Sequence, residues 1–288
     1  MSRTRPRAVT GYSMTEEPPV KEPVLVAALA RGLAVLRCFS PERVELGTTD
    51  IARLTGLPQP TVWRLARTLM AEGCLIAGDR PDRLRIGPGA LLLGHAALTR
   101  AGLGDVALPL LREVALNFEA SVSIAQPLRD RMVIIQRAEA PDILRVDLHI
   151  GSTLPMVNSS VGLAFLAALP ARERTGRIRM LEREVGRVTP DRWPQLKRGI
   201  DEALTQYRRT GFVFNLGRSH RDIHAVGVPI LAPNGRPALA LTCGAARNRM
   251  TRDRLANDVA PRLHAIAATL SPLVPAALAR DPGEVSPH

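Results

Sequence analysis

The sequence predicts an α+β chain of two domains: an N-terminal winged helix-turn-helix, a linker helix, and a larger C-terminal domain of mixed strands and helices. Three observations predict it. The length of 288 residues exceeds one typical domain of roughly 100–200 residues, and 45% hydrophobic with 23% charged residues is ordinary for a globular chain. Two short helical stretches are joined by the tight turn Gly56-Leu57-Pro58 and followed by a hairpin. From Ser121 onward, strand-like and helical segments are mixed.

Residues 1–22 mix Arg, Pro, Thr and Glu without periodicity and read as a disordered arm. Over residues 25–39, apolar side chains recur at Leu25, Ala28, Leu29, Leu33, Leu36 and Phe39, a helical spacing stopped by Ser40-Pro41. Thr48 or Thr49 can cap a second helix by accepting an orphan N–H of its first turn. Gly56 can close that helix in the left-handed conformation. A third helix runs over 59–72 and ends at Gly73. Residues 74–77 and 84–86 read as strands around the turn-rich Gly78-Asp79-Arg80-Pro81-Asp82, which makes a wing and completes a domain over 23–87. A linker helix occupies 88–104, with its apolar run over 90–103 and a joint at Gly102-Leu103-Gly104.

The larger domain spans 105–272. Asp105 can cap a helix over 106–118. Strands are predicted over 121–128, 132–138 and 143–150, and helices over 161–168 and 194–209. A hairpin pairs 226–231 with 238–243 across Pro233-Asn234-Gly235, and a closing helix covers 254–270. Residues 273–288 read as a flexible tail.

The formal net charge is +12, and only Lys21 and Lys197 are lysines. Residues 1–104 carry +5 and residues 105–288 carry +7, so the bulk charge permits a polyanionic partner without locating one. Cys38, Cys74 and Cys243 lie far apart, which fits a reducing cytosol rather than a disulfide framework. Residues 1–23 lack the apolar core of a signal peptide, and no run approaches 18 apolar residues. There is no G-x-S-x-G elbow, no P-loop lysine, and Leu92 stands where a dinucleotide loop beginning at Gly87-Pro88-Gly89 would need a third glycine. His220 and His224 flank Asp222 at metal-like spacing, but on loop running into strand, so no metal, cofactor or catalytic group is assigned.

On the third helix, Val62, Leu65, Ala66 and Leu69 share one side of the helical wheel, while Thr61, Arg64, Arg67 and Thr68 share the other. Arginine can bridge guanine O6 and N7, and threonine can touch a base edge or a thymine methyl in a major groove. Gln59 and Pro60 begin the helix, where free N–H groups suit phosphate. Thr49 and Arg53 on the preceding helix, and Arg80, Arg83 and Arg85 on the wing, complete the candidate DNA contacts. A merely solvated helix face is the competing reading. Trp63, on the flank, is expected to bury partly against the wing.

Several motifs, in order, resemble the IclR family of bacterial transcription regulators. They are Ala28-Leu29-Ala30-Arg31-Gly32-Leu33-Ala34-Val35-Leu36, Asp50-Ile51-Ala52-Arg53-Leu54-Thr55-Gly56-Leu57-Pro58, Thr61-Val62-Trp63-Arg64-Leu65 and Leu84-Arg85-Ile86-Gly87-Pro88. The first is especially similar to the subgroup controlling aromatic-acid catabolism. Pro60 and Trp63 depart from the family, which has a small hydroxyl residue and His or Tyr at those positions. The resemblance implies a GAF-like effector domain over 105–272 that binds a small organic acid, carboxylic or aromatic. It implies effector contacts at Asn158, Ser159, Ser160 and Val161, at Asn215 in place of an acidic residue, at Ala225 in place of Cys, and at Thr242 and Gly244 in place of a Ser pair. Asn158, Ser159 and Ser160 can equally cap the following helix.

These readings together predict a cytoplasmic, DNA-binding transcription regulator that is a homodimer or homotetramer, not an enzyme, with operator DNA and a small acid as partners. Leu91, Leu92, Leu93, Leu98 and Leu103 of the linker would help pair two DNA-binding domains. The alternatives are a small-molecule sensor acting through protein contacts and an enzyme acting on a small acid.

Overall fold

The computed structural model describes residues 26–80, 82–98, 103–141, 143 and 147–279, so the expected N-terminal arm lies outside the described residues. The chain divides into two compact units, residues 1–95 and 96–288.

The first unit contains α1 (Ala27–Leu36), β1 (Leu46–Gly47), α2 (Thr48–Thr55), α3 (Gln59–Ala71), β2 (Leu75–Ala77), β3 (Arg83–Ile86) and the start of α4 (Pro88–Leu98). Its core takes a side chain from nearly every element: Val35, Leu46, Ile51, Val62, Ala66, Leu75 and Leu84. Fully burying one aliphatic side chain of this size contributes roughly 1.5–3 kcal/mol, so each helix is held by its apolar stripe rather than by propensity. The turn between α2 and α3 depends on Gly56, whose φ of 70° is costly for any residue with a Cβ. Its N–H donates to the Ala52 carbonyl at 2.9 Å. Pro58 and Pro60 sit at the cap and first turn of α3, where no backbone N–H is required.

Two local expectations change here. The residue capping α2 is Gly47, not Thr48 or Thr49. The Gly47 N–H donates to the Asp50 carboxylate at 3.2 Å, reaching back from the first turn. The wing also gains a strand: β1 pairs with β3, giving the order β1-β3-β2. Two residues are too short to show a period of two.

The second unit opens with α5 (Leu103–Phe118), followed by β4 (Ser121–Leu128), β5 (Arg131–Glu139) and β6 (Thr153–Pro155). Then come α6 (Ser160–Ala168), α7 (Ala171–Val188), α8 (Trp193–Thr210), β7 (Val213–Leu216), β8 (Ile223–Leu231) and β9 (Pro237–Ala246). A short α9 (Arg252–Arg254), a π-helical turn (Leu255–Val259) and α10 (Ala260–Leu270) close the unit. The strands form one antiparallel sheet, β6-β5-β4-β9-β8-β7. One face packs against α5 and α10 through Leu111, Val122, Ile124, Val226, Leu241 and Leu263. The other packs against α6 and α8 through Met132, Val161, Leu163, Ile200 and Ala240. Since α6 is covered on every side, its sequence is apolar all round. A side chain at Gly227 on β8 would overlap the Ser160 carbonyl, so a glycine there lets α6 lie close to the sheet.

The third strand is β6, not residues 143–150. Residues 147–150 are irregular, and 144–146 lie outside the described residues. Ser152 turns the chain: its Oγ accepts the His149 N–H and its own N–H donates to the His149 carbonyl, each at 2.9 Å. Helix α7 and strand β7 were not expected. The residues expected as a free tail continue packed as far as 279, with Val274 and Ala279 in the core.

Candidate nucleic-acid interface and effector pocket

Helix α3 buries Val62 and Ala66 completely or nearly so and leaves Arg64, Arg67 and Thr68 exposed, with Thr61 half-buried. No acidic side chain lies on α3. Arg67 stacks over Trp63, its Cζ 4.9 Å from the ring centroid. Trp63 is 52% exposed, so the expected burial against the wing is partial at most. The Thr68 hydroxyl donates to the Arg64 carbonyl of its own helix at 3.2 Å. Ahead of α3, the Gln59 Nε2 donates to Thr49 Oγ1 at 3.2 Å and to Thr48 Oγ1 at 3.4 Å. This bridge joins the starts of α2 and α3, with exposed Pro60 beside it.

The remaining candidate cations divide by their partners. Arg83 is ion-paired with Asp50, which also lies 3.5 Å from Arg53. Arg85 lies 3.4 Å from Asp79. Arg80 is exposed. Asp50 is held below the usual carboxylate range, first by the Gly47 N–H and then by the Arg83 guanidinium. One carboxylate thus ties the start of α2 to the wing.

The first unit also exposes several large apolar side chains. Val26, just before α1, and Leu29 and Leu33 on it are exposed. Leu91, Leu92 and Leu93 on α4 are each about 70% exposed (71%, 72% and 67%). Leu103 is instead buried in the C-terminal core, which removes it from the residues expected to pair two chains. The Leu98 side chain lies outside those described.

In the second unit, a cavity of about 110 Å³ opens on the α6 face of the sheet. Six of the expected effector residues line it: Ser159, Ser160, Asn215, Ala225, Thr242 and Gly244. Asn158 and Val161 do not. Val161 is fully buried in the core between α6 and the sheet, and the Asn158 carbonyl accepts hydrogen bonds from Asn215 Nδ2 and, at 2.7 Å, from Ser219 Oγ.

Most polar groups among the six serve the fold. Ser159 caps α6: its Oγ accepts the Gly162 N–H at 3.1 Å and donates to the Pro155 carbonyl at 2.6 Å. Ser160 and Thr242 hydroxyls meet at 2.8 Å, and Thr242 donates to the Val226 carbonyl at 3.0 Å. The Asn215 Oδ1 accepts the Arg218 N–H at 2.9 Å and its Nδ2 donates to Ser219 Oγ at 2.8 Å, which holds the β7–β8 loop against the segment before α6.

The cavity has further walls that sequence reasoning missed: Ser121, Ser123, Arg137, Leu148, Leu154, Ser219, His220 and Ile223. A signal was present in Ser121 and Ser123, which alternate with apolar residues at the start of β4, and in Arg137 and Glu139, which alternate on β5. His220 lies in the cavity wall, whereas the His224 Nδ1 is 2.9 Å from the Met250 carbonyl. Cys243 is fully buried, and burial pushes its thiol up to about 12. A thiol so held stays protonated and is a poor nucleophile. Among the described residues, no helix is long and apolar enough to cross a membrane.

Two family profiles match the chain. The IclR helix-turn-helix domain covers residues 28–75, and the bacterial transcriptional regulator IclR C-terminal domain covers residues 95–272. An HTH-type transcriptional regulator of Comamonas testosteroni, TsaQ1/TsaQ2, is 29% identical over 241 residues, 83% of this chain and 85% of that protein. The p-hydroxybenzoate hydroxylase transcriptional activator of Acinetobacter baylyi is 28% identical over 255 residues, 86% of this chain and 92% of that protein. The crystal structure of an IclR family transcriptional regulator from Brucella abortus superposes with a TM-score of 0.76 at 37% identity, covering 87% of this chain and 94% of that one.

Proposed function

This chain belongs to the IclR family of bacterial transcriptional regulators, and from that premise we propose that α3 enters the major groove of an operator while a small organic acid in the cavity beside α6 sets the affinity. The observation that carries the reading is the outer face of α3, where Arg64 and Arg67 stand exposed on a helix without an acidic residue. Arg64 and Thr61 suit base edges, and Thr68 lies further along the same face. Arg80, with Arg53 and Thr49 near the groove edge, suits phosphate. Gln59 and Pro60 lie at the end of α3 that approaches DNA first, and the bridge from Gln59 to Thr49 keeps that end in place. Arg83 and Arg85, both paired with carboxylates, shape the wing first and meet DNA through what remains of their exposed surface.

The active species is a cytoplasmic homodimer or homotetramer. The exposed apolar side chains of α1 and α4 suit contact with a second copy, which would take them out of water. Two copies related by a two-fold axis would read half-sites about 34–36 Å apart. The effector acts only by binding one arrangement of the dimer better than another, and DNA must then alter effector affinity by the same factor. The C. testosteroni and A. baylyi relatives are named as regulators, which favours regulation over an enzyme role.

The test is a fluorescence anisotropy titration of DNA from upstream of the gene, over a salt series, with and without a panel of small carboxylic acids. Tight, salt-dependent binding that one acid shifts at least fivefold is expected. Binding no tighter than to unrelated DNA would end the operator reading. Tight binding that no acid alters would leave DNA recognition and remove the effector.

A further inference from the structure

We propose that Arg137 supplies the charge partner of the effector's carboxylate from the β4–β5 side of the cavity; this rests on the cavity being the effector site. The sheet register brings the necessary groups together. Ser123 on β4 lies opposite both Arg137 on β5 and Thr242 on β9, and Thr242 lies opposite Gly227, over which Ser160 passes. Directly paired residues share a face, so Arg137 stands in the same row as the Ser160–Thr242 contact.

The side chain of Arg137 is only 9% exposed. Its Nη1 donates to Ser123 Oγ at 2.9 Å, its Nε to Glu139 Oε1 at 2.8 Å, and its Nη2 also bonds Glu139. A guanidinium has five N–H groups, so these three bonds leave two, one on each Nη. Two such donors match the two oxygens of a carboxylate. Glu139 is 30% exposed, so water can solvate its carboxylate if a ligand takes a share of the guanidinium.

The start of α6 offers N–H groups but no charged side chain. The Ser159 hydroxyl already accepts one bond and donates another, the Thr242 proton goes to Val226, and Asn215 is bonded through both amide atoms, which leaves the uncharged Ser160 and Val161 N–H groups for an anion. A carboxylate leaving water needs a charge partner. Arg137 is the one always-charged cation lining the cavity among the described residues, and His220 is exposed. Leu148, Leu154, Ile223 and Ala225 line the rest, with Gly244 leaving room beside Ala225. The ligand class is therefore a monocarboxylate with an apolar body.

Calorimetry and thermal shift on the full chain test this with benzoate, 4-hydroxybenzoate, phenylacetate and 3-methylbutanoate, each against its primary amide. The unaltered chain should bind at least one acid more tightly than the matching amide. Arg137→Gln should weaken that acid about 10–100-fold, the loss expected for a charge-assisted hydrogen bond. The amide should change less than threefold. The double variant R137Q/E139Q removes the pair together. The same loss there, with the unliganded melting midpoint and DNA affinity kept, excludes a stranded Glu139 as the cause. Unchanged acid affinity in R137Q, with a large loss in Ser160→Ala, would move the carboxylate to α6 and overturn the proposal while leaving the effector pocket intact. If no acid in the panel binds the unaltered chain, both the proposal and the acid-binding cavity fall.

Discussion

Helices α3 and α7 use arginine in opposite ways. α7 carries six arginines in 18 residues, and α3 carries two in 13. By cation count alone, α7 would be the nucleic-acid surface. Yet α7 also carries Glu173, Glu182 and Glu184, and three of its six arginines are engaged within the protein, while Arg172, Arg179 and Arg183 are exposed among those carboxylates. Arg187 pairs with Glu184 at 3.0 Å, Arg174 donates to the Ala167 and Leu169 carbonyls at 3.1 and 3.0 Å, and Arg177 donates to the Arg129 carbonyl at 3.1 Å. Glu173 in turn accepts from Arg236 at 2.7 Å. On α3, Arg67 leans on Trp63 and Arg64 faces solvent. A binding face is marked by cations that stand on a helix without carboxylates to offset them, as on α3, and not by their number. The net charge of +12 does not separate the two helices.

The largest effect on DNA is expected from Arg64→Ala, which should weaken operator binding by about 1–3 kcal/mol and relax preference at one base position. A mobility-shift titration at fixed salt reads it, and an unchanged Kd would remove Arg64 from the interface. Asp50→Asn comes next. It should loosen the wing from α2, lower the melting midpoint of the first unit and weaken DNA binding less than R64A does.

The same residue predicts a pH dependence with a definite sign. Asp50 titrates lower in the folded than in the unfolded chain. Its contribution is therefore complete above the unfolded carboxylate value and is lost as pH falls through the depressed folded value. Melting midpoints of wild type and D50N should differ at neutral pH and converge in acid. A constant gap across that range would contradict the assignment.

Arg80→Ala should weaken all DNA sequences alike and lower the salt slope of log K by about 1, as expected for one lost phosphate contact. A sequence-dependent loss would mean that Arg80 reads bases. The smallest effect is expected from Trp63→Leu, which removes the face against which Arg67 rests. An exposed cation–π contact is worth about 0.5–1 kcal/mol, so DNA affinity should fall by no more than that. A loss as large as that of R64A would instead place the indole itself against DNA.

Much of the first unit was legible because its signals are local. Val62, Leu65, Ala66 and Leu69 repeat at helical spacing, Gly56 marks the turn, and the turn residues after Gly78 mark the wing. What escaped was non-local. Strand β1 exists only because Leu46 finds Leu84 across the unit. The cap of α2 went to Gly47 because Asp50 could serve both its N–H and Arg83 at once.

The cavity was harder to read for the same reason. Ser159, Ser160, Asn215 and Thr242 were reached through family resemblance, and the structure gathers them around one space. Arg137 was missed because its role depends on strand pairing, which sets it opposite Ser123 and in the same row as Thr242. Helix α7 was overlooked although Ile178, Leu181 and Val185 recur at helical spacing. The surrounding charge hid a stripe that packs against the second core.

The arginines of α3 are expected to bind DNA and those of α7 are not. The direct measurement is a titration of labelled upstream DNA, at one fixed salt concentration, with the wild-type chain, the α3 double variant R64A/R67A and the α7 double variant R179A/R183A. A rise in Kd of at least tenfold is expected for the α3 variant and a change of less than twofold for the α7 variant. Equal losses from the two, or a larger loss from α7, would contradict this expectation.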